Sequence, residues 1–150
     1  MELILWRHAD AEEGERDLER KLTGKGRKQA QRVAQWLQHR LPSKFTLISS
    51  PARRARETAD ALDARYKISH RLAPGAQVAD LLDAAGWPKR KGTVILVGHQ
   101  PEFGRVAAAL VSGSQGDWSV KKGGLWWLDN RVRRGDARVV VRAVIAPDLI

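Results

Sequence analysis

The chain has 150 residues, of which 43% are hydrophobic and 29% are charged, and its formal net charge is +10. This length and composition predict one folded domain over residues 1–150 and argue against disorder. The chain has no cysteine, which excludes disulfides, thiol catalysis and cysteine-bound zinc. No apolar run approaches the roughly 20 residues that span a membrane, and no signal-peptide pattern precedes the first strand, so we expect a cytoplasmic protein.

The basic composition favours an anionic partner or substrate. The lysines and arginines are dispersed along the chain, and aromatic residues do not alternate with them. We therefore expect the charge to steer anions towards the protein, and we expect neither specific nucleic-acid binding nor membrane binding. We also expect a monomer, because the predicted elements leave no long apolar stripe uncovered.

Two short apolar runs predict buried strands that each end in a histidine. Residues 3–6 lead into Arg7 and His8, and residues 93–97 lead into Gly98 and His99. Continuous apolar runs of this length are typical of strands that are covered on both faces, as in a parallel sheet. If the two strands are parallel neighbours, both histidines lie at the carboxyl edge of the sheet, where open α/β sheets bind their ligands.

Further elements alternate between helix and strand. Apolar residues at helical spacing predict a helix over about residues 25–40, with Thr23 as its N-cap. A strand over residues 45–49 precedes a second helix, for which Ser50 is the predicted cap and Pro51 the first helical residue. The remaining predicted elements are an edge strand within 68–72, a helix from Val78 to near Gly86, and a helix that begins at Pro101.

The end of the chain predicts two strands, over residues 125–128 and 138–145, joined by a turn at 131–136. In the last strand Val139, Val141, Ala143 and Ile145 are expected on one face, and Arg142 marks it as an edge strand. Strand–helix repeats followed by a hairpin predict a three-layer α/β/α sandwich with a mainly parallel central sheet.

Four side chains are expected to converge at the carboxyl edge of this sheet. Arg7 and His8 follow the first strand, His99 follows another, and Arg54 lies in the first turn of the helix after residues 45–49. Arginine forks match phosphate oxygens, and the helix N-terminus after His99 adds backbone donors. The occupant that fits this cationic pocket is a phosphoryl group. No metal-ligand pattern such as HExxH occurs, so we expect neither a metal nor a cofactor.

Without a metal, phosphoryl transfer needs a protein nucleophile, and histidine can serve. A neutral His8 would attack phosphorus with one ring nitrogen while the other donates to a carbonyl or carboxylate. Arg7, Arg54 and a protonated His99 would bind the phosphoryl oxygens, and water would then hydrolyse phospho-His8. The other two histidines, His39 and His70, are expected to have no catalytic role.

Several motifs resemble those of the histidine phosphatase superfamily, which includes the phosphoglycerate mutases. Arg7-His8-Ala9 resembles its Arg-His-Gly signature, and Gly98-His99-Gln100-Pro101 is similar to its second histidine motif. Residues 50–59 resemble its Ser-x-x-x-Arg-Ala-x-x-Thr-Ala segment, and residues 22–26 its Leu-Thr-x-x-Gly element. The short chain is most similar to the small bacterial phosphohistidine phosphatases of the SixA type.

The resemblance implies a phosphoglycerate mutase-like fold and a metal-independent phosphatase, with His8 phosphorylated and with Arg7, Arg54 and His99 in the phosphate pocket. Two features depart from the family pattern. Ala9 replaces the usual glycine, and the chain is too short for the insertion that supplies an acidic proton donor in larger relatives. The carboxylates that could replace this donor are Asp10, Asp17, Asp80 and Glu102.

The missing acid favours phosphohistidine on proteins as the substrate, because an imidazole leaves more easily than an alkoxide. Two alternatives stay open. One is a small-molecule phosphomonoesterase of the same superfamily. The other is a non-catalytic module that binds phosphate groups or nucleic acid; the net charge favours it, and the four intact pocket residues argue against it.

Overall fold

The two apolar runs that end in histidine form neighbouring central strands in the computed structural model, which describes residues 1–150. The sheet has six strands in the order β3-β2-β4-β1-β5-β6. Their bounds are β1 Glu2–Arg7, β2 Thr46–Ser49, β3 Lys67–Ile68, β4 Thr93–Gly98, β5 Leu125–Arg133 and β6 Asp136–Ile145.

Strands β3, β2, β4 and β1 are mutually parallel, and β5 and β6 continue the sheet in antiparallel fashion. The prediction of a mainly parallel sheet is confirmed. In the pairing of β1 with β4, Arg7 lies opposite Gly98, and the His8 amide donates to the Gly98 carbonyl at 2.9 Å. The two strands therefore end at the same level and deliver His8 and His99 side by side.

Helices cover both faces of the sheet, so the predicted three-layer architecture is also confirmed. The four helices are α1 Gly24–Gln38, α2 Arg53–Asp60, α3 Val78–Ala85 and α4 Glu102–Ser112. Helices α1 and α2 pack on one face around Ile4 and Ile95, and α3 and α4 pack on the other around Leu5 and Leu96. Burying each such side chain stabilises the fold by about 1.5–3 kcal/mol, so the central strands anchor the site rigidly. No helix of the structure combines the length and apolar character that crossing a membrane requires.

Helix α1 begins where predicted, and its first turn packs on the segment that follows His8. The Thr23 hydroxyl accepts from the Gly26 amide at 2.9 Å, which confirms Thr23 as the N-cap. A Cβ atom at Gly26 would overlap the Asp10 carbonyl oxygen. Glycine is therefore required at this close approach of two backbones, and the approach holds the chain just beyond His8 in place.

Two predicted helix starts are wrong by one or more residues. Helix α2 begins at Arg53, after an Ala52 cap that makes no side-chain hydrogen bond, so Ser50 is not the cap and Pro51 is not the first helical residue. The Ser50 hydroxyl is engaged by a histidine instead, as described below. Pro101 is the N-cap residue of α4 rather than its first helical residue.

The edge strands also differ in detail from their predictions. Strand β3 has only two residues and is followed by a 3-10 turn at His70–Leu72. Strands β5 and β6 are joined by a tight turn of two residues, Arg134 and Gly135, which both have positive φ. The predicted turn over 131–136 is therefore too long.

A β-bulge overturns the prediction that the apolar residues of β6 share one face. Trp127 pairs with Ala143 while Leu128 pairs with Val141, which leaves Arg142 as the extra residue. Because side chains alternate along a strand, the extra residue puts Val139 and Ile145 on opposite faces of the sheet. The prediction of β6 as an edge strand is confirmed.

Candidate active site

His8 lies directly beyond β1 with its ring buried and its tautomer defined by its partners. Its Nδ1 is 2.8 Å from the carbonyl oxygen of Ala9, which can only accept, so Nδ1 carries the hydrogen. Its Nε2 is 3.3 Å from Nε of Arg54, which can only donate, so Nε2 carries the lone pair. The lone pair of His8 therefore faces the cationic centre of the site.

Arg54 contacts both histidines, and its side chain is buried, with 4% of the residue exposed. Helix α2 begins one residue earlier and directs this side chain across the carboxyl edge of the sheet. Besides the bond to His8, Nη1 donates to the Asp17 carbonyl at 2.7 Å and Nη2 to the Asp17 carboxylate at 3.1 Å. The Nη2 atom is also 3.5 Å from Nδ1 of His99. One guanidinium thus orients both histidines.

His99 lies beyond β4, and its ring centroid is 5.2 Å from that of His8. Since the Arg54 guanidinium can only donate, Nδ1 of His99 carries a lone pair, and Nε2–H donates to the Ser50 hydroxyl at 2.7 Å. Ser50 also accepts from the Ala52 amide at 3.2 Å. The residue that was predicted to cap α2 therefore holds His99 instead.

Both imidazoles are neutral at neutral pH. Burial, reinforced by the charges of Arg54 and Arg7, lowers the pKa of His8 from 6.5 to about 4. Burial, together with His8 and Arg54, lowers the pKa of His99 from 6.5 to about 3. The protonated His99 expected from the sequence is the form with a phosphoryl group bound, and it stays a prediction. A bound dianion beside Arg54 would raise this pKa, because a negative charge favours the imidazolium form.

Arg7 joins the site from the end of β1. Its Nη1 donates to the Val120 carbonyl at 2.8 Å, which ties the guanidinium to the segment before β5. Its Nε is buried and has no hydrogen-bond partner. The structure brings His8, Arg54 and His99 into contact, and Arg7 lies near enough for its charge to lower the pKa of both histidines.

Of the four candidate carboxylates, only Asp17 contacts these residues. Burial raises the pKa of Asp17, but the hydrogen bonds and charges of Arg20 and Arg54 outweigh it, so the pKa lies below its usual range. Asp10 accepts from Thr23 and Lys122, which likewise leave its pKa lowered.

The other two carboxylates are engaged with backbone amides. Asp80 accepts from the Gln77 amide in the capping box of α3. Glu102 is buried and accepts from the Gly75 amide at 2.5 Å, while its second oxygen has no partner. No carboxylate therefore donates a hydrogen bond towards His8.

Three contributors to the site were not recognised in these roles from the sequence. Ser50 was interpreted as a helix cap and Asp17 only as a possible acid, while Thr58 was part of a family motif without a role. The Thr58 hydroxyl accepts from the Ala9 amide at 3.0 Å and donates to the Arg54 carbonyl at 2.8 Å. It thereby fastens the chain after His8 to α2, next to the arginine that His8 faces. A threonine one helical turn after Arg54 was the available signal.

The arrangement suits an oxyanion. The Arg54 guanidinium and two imidazoles are in contact, and the charge of Arg7 acts on both imidazoles. Asp17 occupies both Nη atoms of Arg54, so an anion that binds this guanidinium takes the place of Asp17. Nowhere do three or more histidine, aspartate or glutamate side chains come together in a group that could hold a metal ion. His39 and His70 are exposed and take no part in the site. A tetrahedral anion bound here would meet a neutral, oriented imidazole nitrogen on one side.

Comparisons with known proteins place the chain in a family. The sequence model of the histidine phosphatase superfamily (branch 1) matches residues 3–90. An uncharacterized protein of Picosynechococcus sp. is 34% identical over 153 aligned residues, which cover 93% of this chain and 88% of that protein.

Solved structures show the same fold. The proposed phosphohistidine phosphatase SixA of Nakamurella multipartitia matches with a TM-score of 0.80 and 28% identity over 97% of this chain and 95% of its own. The protein histidine phosphatase SixA in complex with tungstate has a TM-score of 0.79 at 19% identity, covering 99% of each chain. A phosphoserine phosphatase of Entamoeba histolytica shares the fold at a TM-score of 0.68 and 18% identity, over 95% of each chain. With the family match and the similar relative, the chain belongs to the histidine phosphatase superfamily.

Proposed function

We propose that the protein is a phosphatase that hydrolyses phosphohistidine on proteins through a phosphorylated His8 and without a metal ion. The observation that carries the proposal is the orientation of His8. Its Nδ1–H is donated to the Ala9 carbonyl, and its Nε2 lone pair points at Arg54. A histidine nucleophile needs this arrangement, because only the nitrogen with a free lone pair can attack phosphorus.

In the first step, Nε2 of His8 attacks the phosphorus atom of the substrate. The P–N bond to the substrate imidazole breaks, and the leaving nitrogen takes a proton from solvent, so the substrate leaves as neutral histidine. The low pKa of His8, about 4, keeps the attacking ring neutral at neutral pH. As the new N–P bond forms, His8 gains positive charge, and the Ala9 carbonyl, which accepts from Nδ1–H at 2.8 Å, stabilises that charge.

In the second step, water attacks phospho-His8. The N–P bond breaks, inorganic phosphate leaves, and His8 regains its neutral form. Arg54 exchanges its bonds to Asp17 for bonds to the phosphoryl oxygens, and Arg7 binds these oxygens as well, in both steps. Arginine suits this role because it provides planar pairs of donors where the negative charge is spread. His99 takes up a proton at Nδ1 when the dianion binds and donates it as a hydrogen bond to a phosphoryl oxygen.

The environment of the carboxylates supports a phosphohistidine substrate over a phosphate ester. An alkoxide leaving group needs a proton from a nearby acid, which general acid catalysis provides at a gain of about 10²–10⁴-fold. Asp17 is ionised and paired with Arg54 and Arg20, and Asp10 is paired with Lys122. The imidazole of phosphohistidine leaves after protonation by solvent and does not need such an acid.

The comparisons add support of two kinds. Solved structures of similar fold include one described as a proposed phosphohistidine phosphatase SixA and one described as the protein histidine phosphatase SixA. One of these is described in complex with tungstate, a tetrahedral oxyanion of the same shape as phosphate. Both facts are consistent with a phosphoryl group as the ligand of Arg7, Arg54 and His99 in this chain.

The proposal is tested by incubating the purified protein with a histidine-phosphorylated protein and, separately, with p-nitrophenyl phosphate, each with and without EDTA. We expect rapid loss of phosphohistidine that EDTA does not slow and that His8→Ala abolishes. His39→Ala is the matched control, because His39 is exposed and lies outside the site, and it should retain full activity. Turnover of the aryl ester alone would identify a phosphomonoesterase, and turnover of neither substrate would indicate a binding module.

A further inference from the structure

A large open cleft adjoins the candidate active site on the side of Arg7. Its volume is about 920 Å³, and its walls are helix α1 and the segment just before β5. The basic cleft, as we call it, is lined by six cationic side chains: Arg7, Lys25, Lys28, Arg32, Lys121 and Lys122. Asp148 is the only acidic residue of the lining and Val120 the only hydrophobic one.

Most of these cations are not neutralised by the protein. Lys122 pairs with Asp10 at 3.1 Å, whereas Lys25, Lys28, Arg32 and Lys121 form no ion pair. Surface charges that pair with each other can be explained as part of a solvated surface on which the charges cancel. Four unpaired cations around one cleft instead create a positive potential that an anionic group would neutralise.

The position of Lys25 and Lys28 on α1 strengthens this interpretation. Both follow the N-terminus of the helix, and the first turn contains no acidic residue. The helix macrodipole is positive at this end and disfavours cations there by about 0.3–1 kcal/mol each. These lysines therefore do not serve helix stability, and the dipole adds to the positive potential of the cleft.

The cleft connects with the phosphoryl pocket through two residues. Arg7 lines the cleft, and its buried Nε has no partner. Gln100, which follows His99, also lines the cleft and donates to the Trp118 carbonyl at 2.8 Å. This bond and the bond from Arg7 to the Val120 carbonyl hold the wall before β5 in place. Because Arg7 and Gln100 adjoin His8 and His99 in the chain, we infer that a substrate with its phosphoryl group at His8 lies within reach of the cleft.

The loop from Glu12 to Arg20, which contributes Asp17 to Arg54, offers no comparable positive surface. It contains four glutamates, and its cations Arg16 and Arg20 are paired with Glu19 and Asp17. A substrate with acidic groups around its phosphoryl group is therefore attracted more strongly by the unpaired cations of the basic cleft, and this difference favours one direction of binding.

We propose that the basic cleft binds an acidic segment next to the phosphohistidine of the protein substrate, and so selects phosphoproteins with acidic sequence on one side of that residue. This inference rests on the proposed phosphohistidine phosphatase function and names the chemistry of its partner. Single-stranded nucleic acid is the weaker candidate, because it usually needs aromatic side chains for base stacking, and the lining has none.

The test uses two fluorescein-labelled peptides that each carry one phosphohistidine, flanked by four glutamates in one and by four glutamines in the other. We compare kcat/KM for the two peptides, and we measure binding of both to His8→Ala, which cannot form the phosphoenzyme. The charge-reversal variant is Lys25→Glu/Lys28→Glu, which should fold well because glutamate suits a helix N-terminus. Lys89→Glu/Lys91→Glu is the matched control, with the same change in net charge in an exposed loop before β4.

We expect the wild type to prefer the glutamate peptide roughly tenfold, as two to three exposed charge pairs would produce. Lys25→Glu/Lys28→Glu should remove or reverse this preference, and Lys89→Glu/Lys91→Glu should keep it. The inference is overturned if the wild type treats both peptides alike, if the charge-reversal variant keeps the preference, or if both double variants lose it equally.

Two outcomes separate this inference from the proposed function. Hydrolysis of both peptides without preference refutes the cleft's role and leaves the phosphatase intact. Hydrolysis of neither peptide refutes the proposed function, and the binding preference measured with His8→Ala then decides the role of the cleft by itself.

Discussion

His8 and His99 each follow a buried strand of the sheet, but their ring nitrogens have different hydrogen-bond partners. Each follows a buried strand, β1 or β4, and their rings lie 5.2 Å apart against the same guanidinium. His8 donates from Nδ1 to a backbone carbonyl and turns Nε2 to Arg54. His99 donates from Nε2 to the Ser50 hydroxyl and turns Nδ1 to Arg54. The two neutral rings are therefore opposite tautomers.

The different hydrogen-bond partners of the two rings indicate different catalytic roles. A carbonyl oxygen can only accept, so the tautomer of His8 is fixed with the lone pair on Nε2, where it faces Arg54. A hydroxyl can accept or donate, so Ser50 by itself does not fix the tautomer of His99. We infer that His8 is suited to be the nucleophile and His99 to be a donor that gains a proton when phosphate binds. The predictions below test this division of roles, beginning with the largest effect.

His8→Ala should remove nearly all activity. Loss of a covalent nucleophile typically lowers kcat by about 10⁴-fold or more, since no other group forms the intermediate. Single-turnover assays with a histidine-phosphorylated protein measure this effect, with His39→Ala as the control. Retention of even a tenth of the wild-type rate in His8→Ala would show that His8 is not the nucleophile.

His99→Ala should retain the chemistry but slow it by about 10²–10³-fold, as expected for the loss of one donor to the phosphoryl oxygens. Phospho-His8 should still form in this variant, at a reduced rate, and be visible in rapid-quench experiments. If His99→Ala formed no phosphoenzyme while His8→Ala did, the roles assigned to the two rings would be reversed.

The stability of the fold should fall as the pH is lowered from 6.5 to about 4. The unfolded chain protonates both histidines near 6.5, whereas the pKa is lowered to about 4 for His8 and about 3 for His99. The unfolded state therefore binds more protons in this window, and His8 alone costs on the order of 2–3 kcal/mol by pH 4.5. Urea unfolding at pH 7 and 4.5 measures the difference.

The variant His8→Asn/His99→Asn is the comparison for this titration, because it lacks both buried imidazoles. We expect its unfolding free energy to depend less on pH than that of the wild type over the same window. Equal pH dependence in the two proteins would mean that the histidines are not held neutral by burial.

The smallest effect is expected from Ser50→Ala, which removes the acceptor for Nε2–H of His99. Loss of one oriented hydrogen bond of about 1 kcal/mol should lower kcat roughly five- to tenfold with little change in KM. Ser49→Ala is the matched control, since Ser49 is also buried but donates to the Ser50 carbonyl rather than to a histidine. Similar losses in both variants would indicate a structural effect instead.

The sequence predicts the strands that carry the two histidines because their signal is local. An uninterrupted apolar run is a property of the strand itself, and a sheet with helices on both faces follows from the strand–helix alternation. The convergence of Arg7, His8, Arg54 and His99 could be predicted for the same reason, since parallel neighbouring strands end at one edge.

The contacts that the sequence did not predict are non-local. Ser50 has the pattern of a helix cap, but the nearby His99 engages its hydroxyl, and α2 begins three residues later. Asp17 was considered only as a possible acid, and only the folded chain brings it to Arg54. The bulge at Arg142 changes the face of the sheet on which the following side chains of β6 lie, and no residue type in the strand predicts it. Each depends on a partner that is distant in sequence.

The central claim is that the phosphoryl group is transferred to Nε2 of His8, and the most direct test is to identify the phosphorylated atom. Protein mixed with a histidine-phosphorylated substrate and quenched in base within milliseconds can be analysed by mass spectrometry and by ³¹P–¹⁵N NMR. We predict one phosphoryl group, on His8, attached to Nε2 because Nδ1–H is donated to the Ala9 carbonyl. A phosphoryl group on His99 or on Nδ1 of His8, or turnover without any phosphoenzyme, would contradict this account.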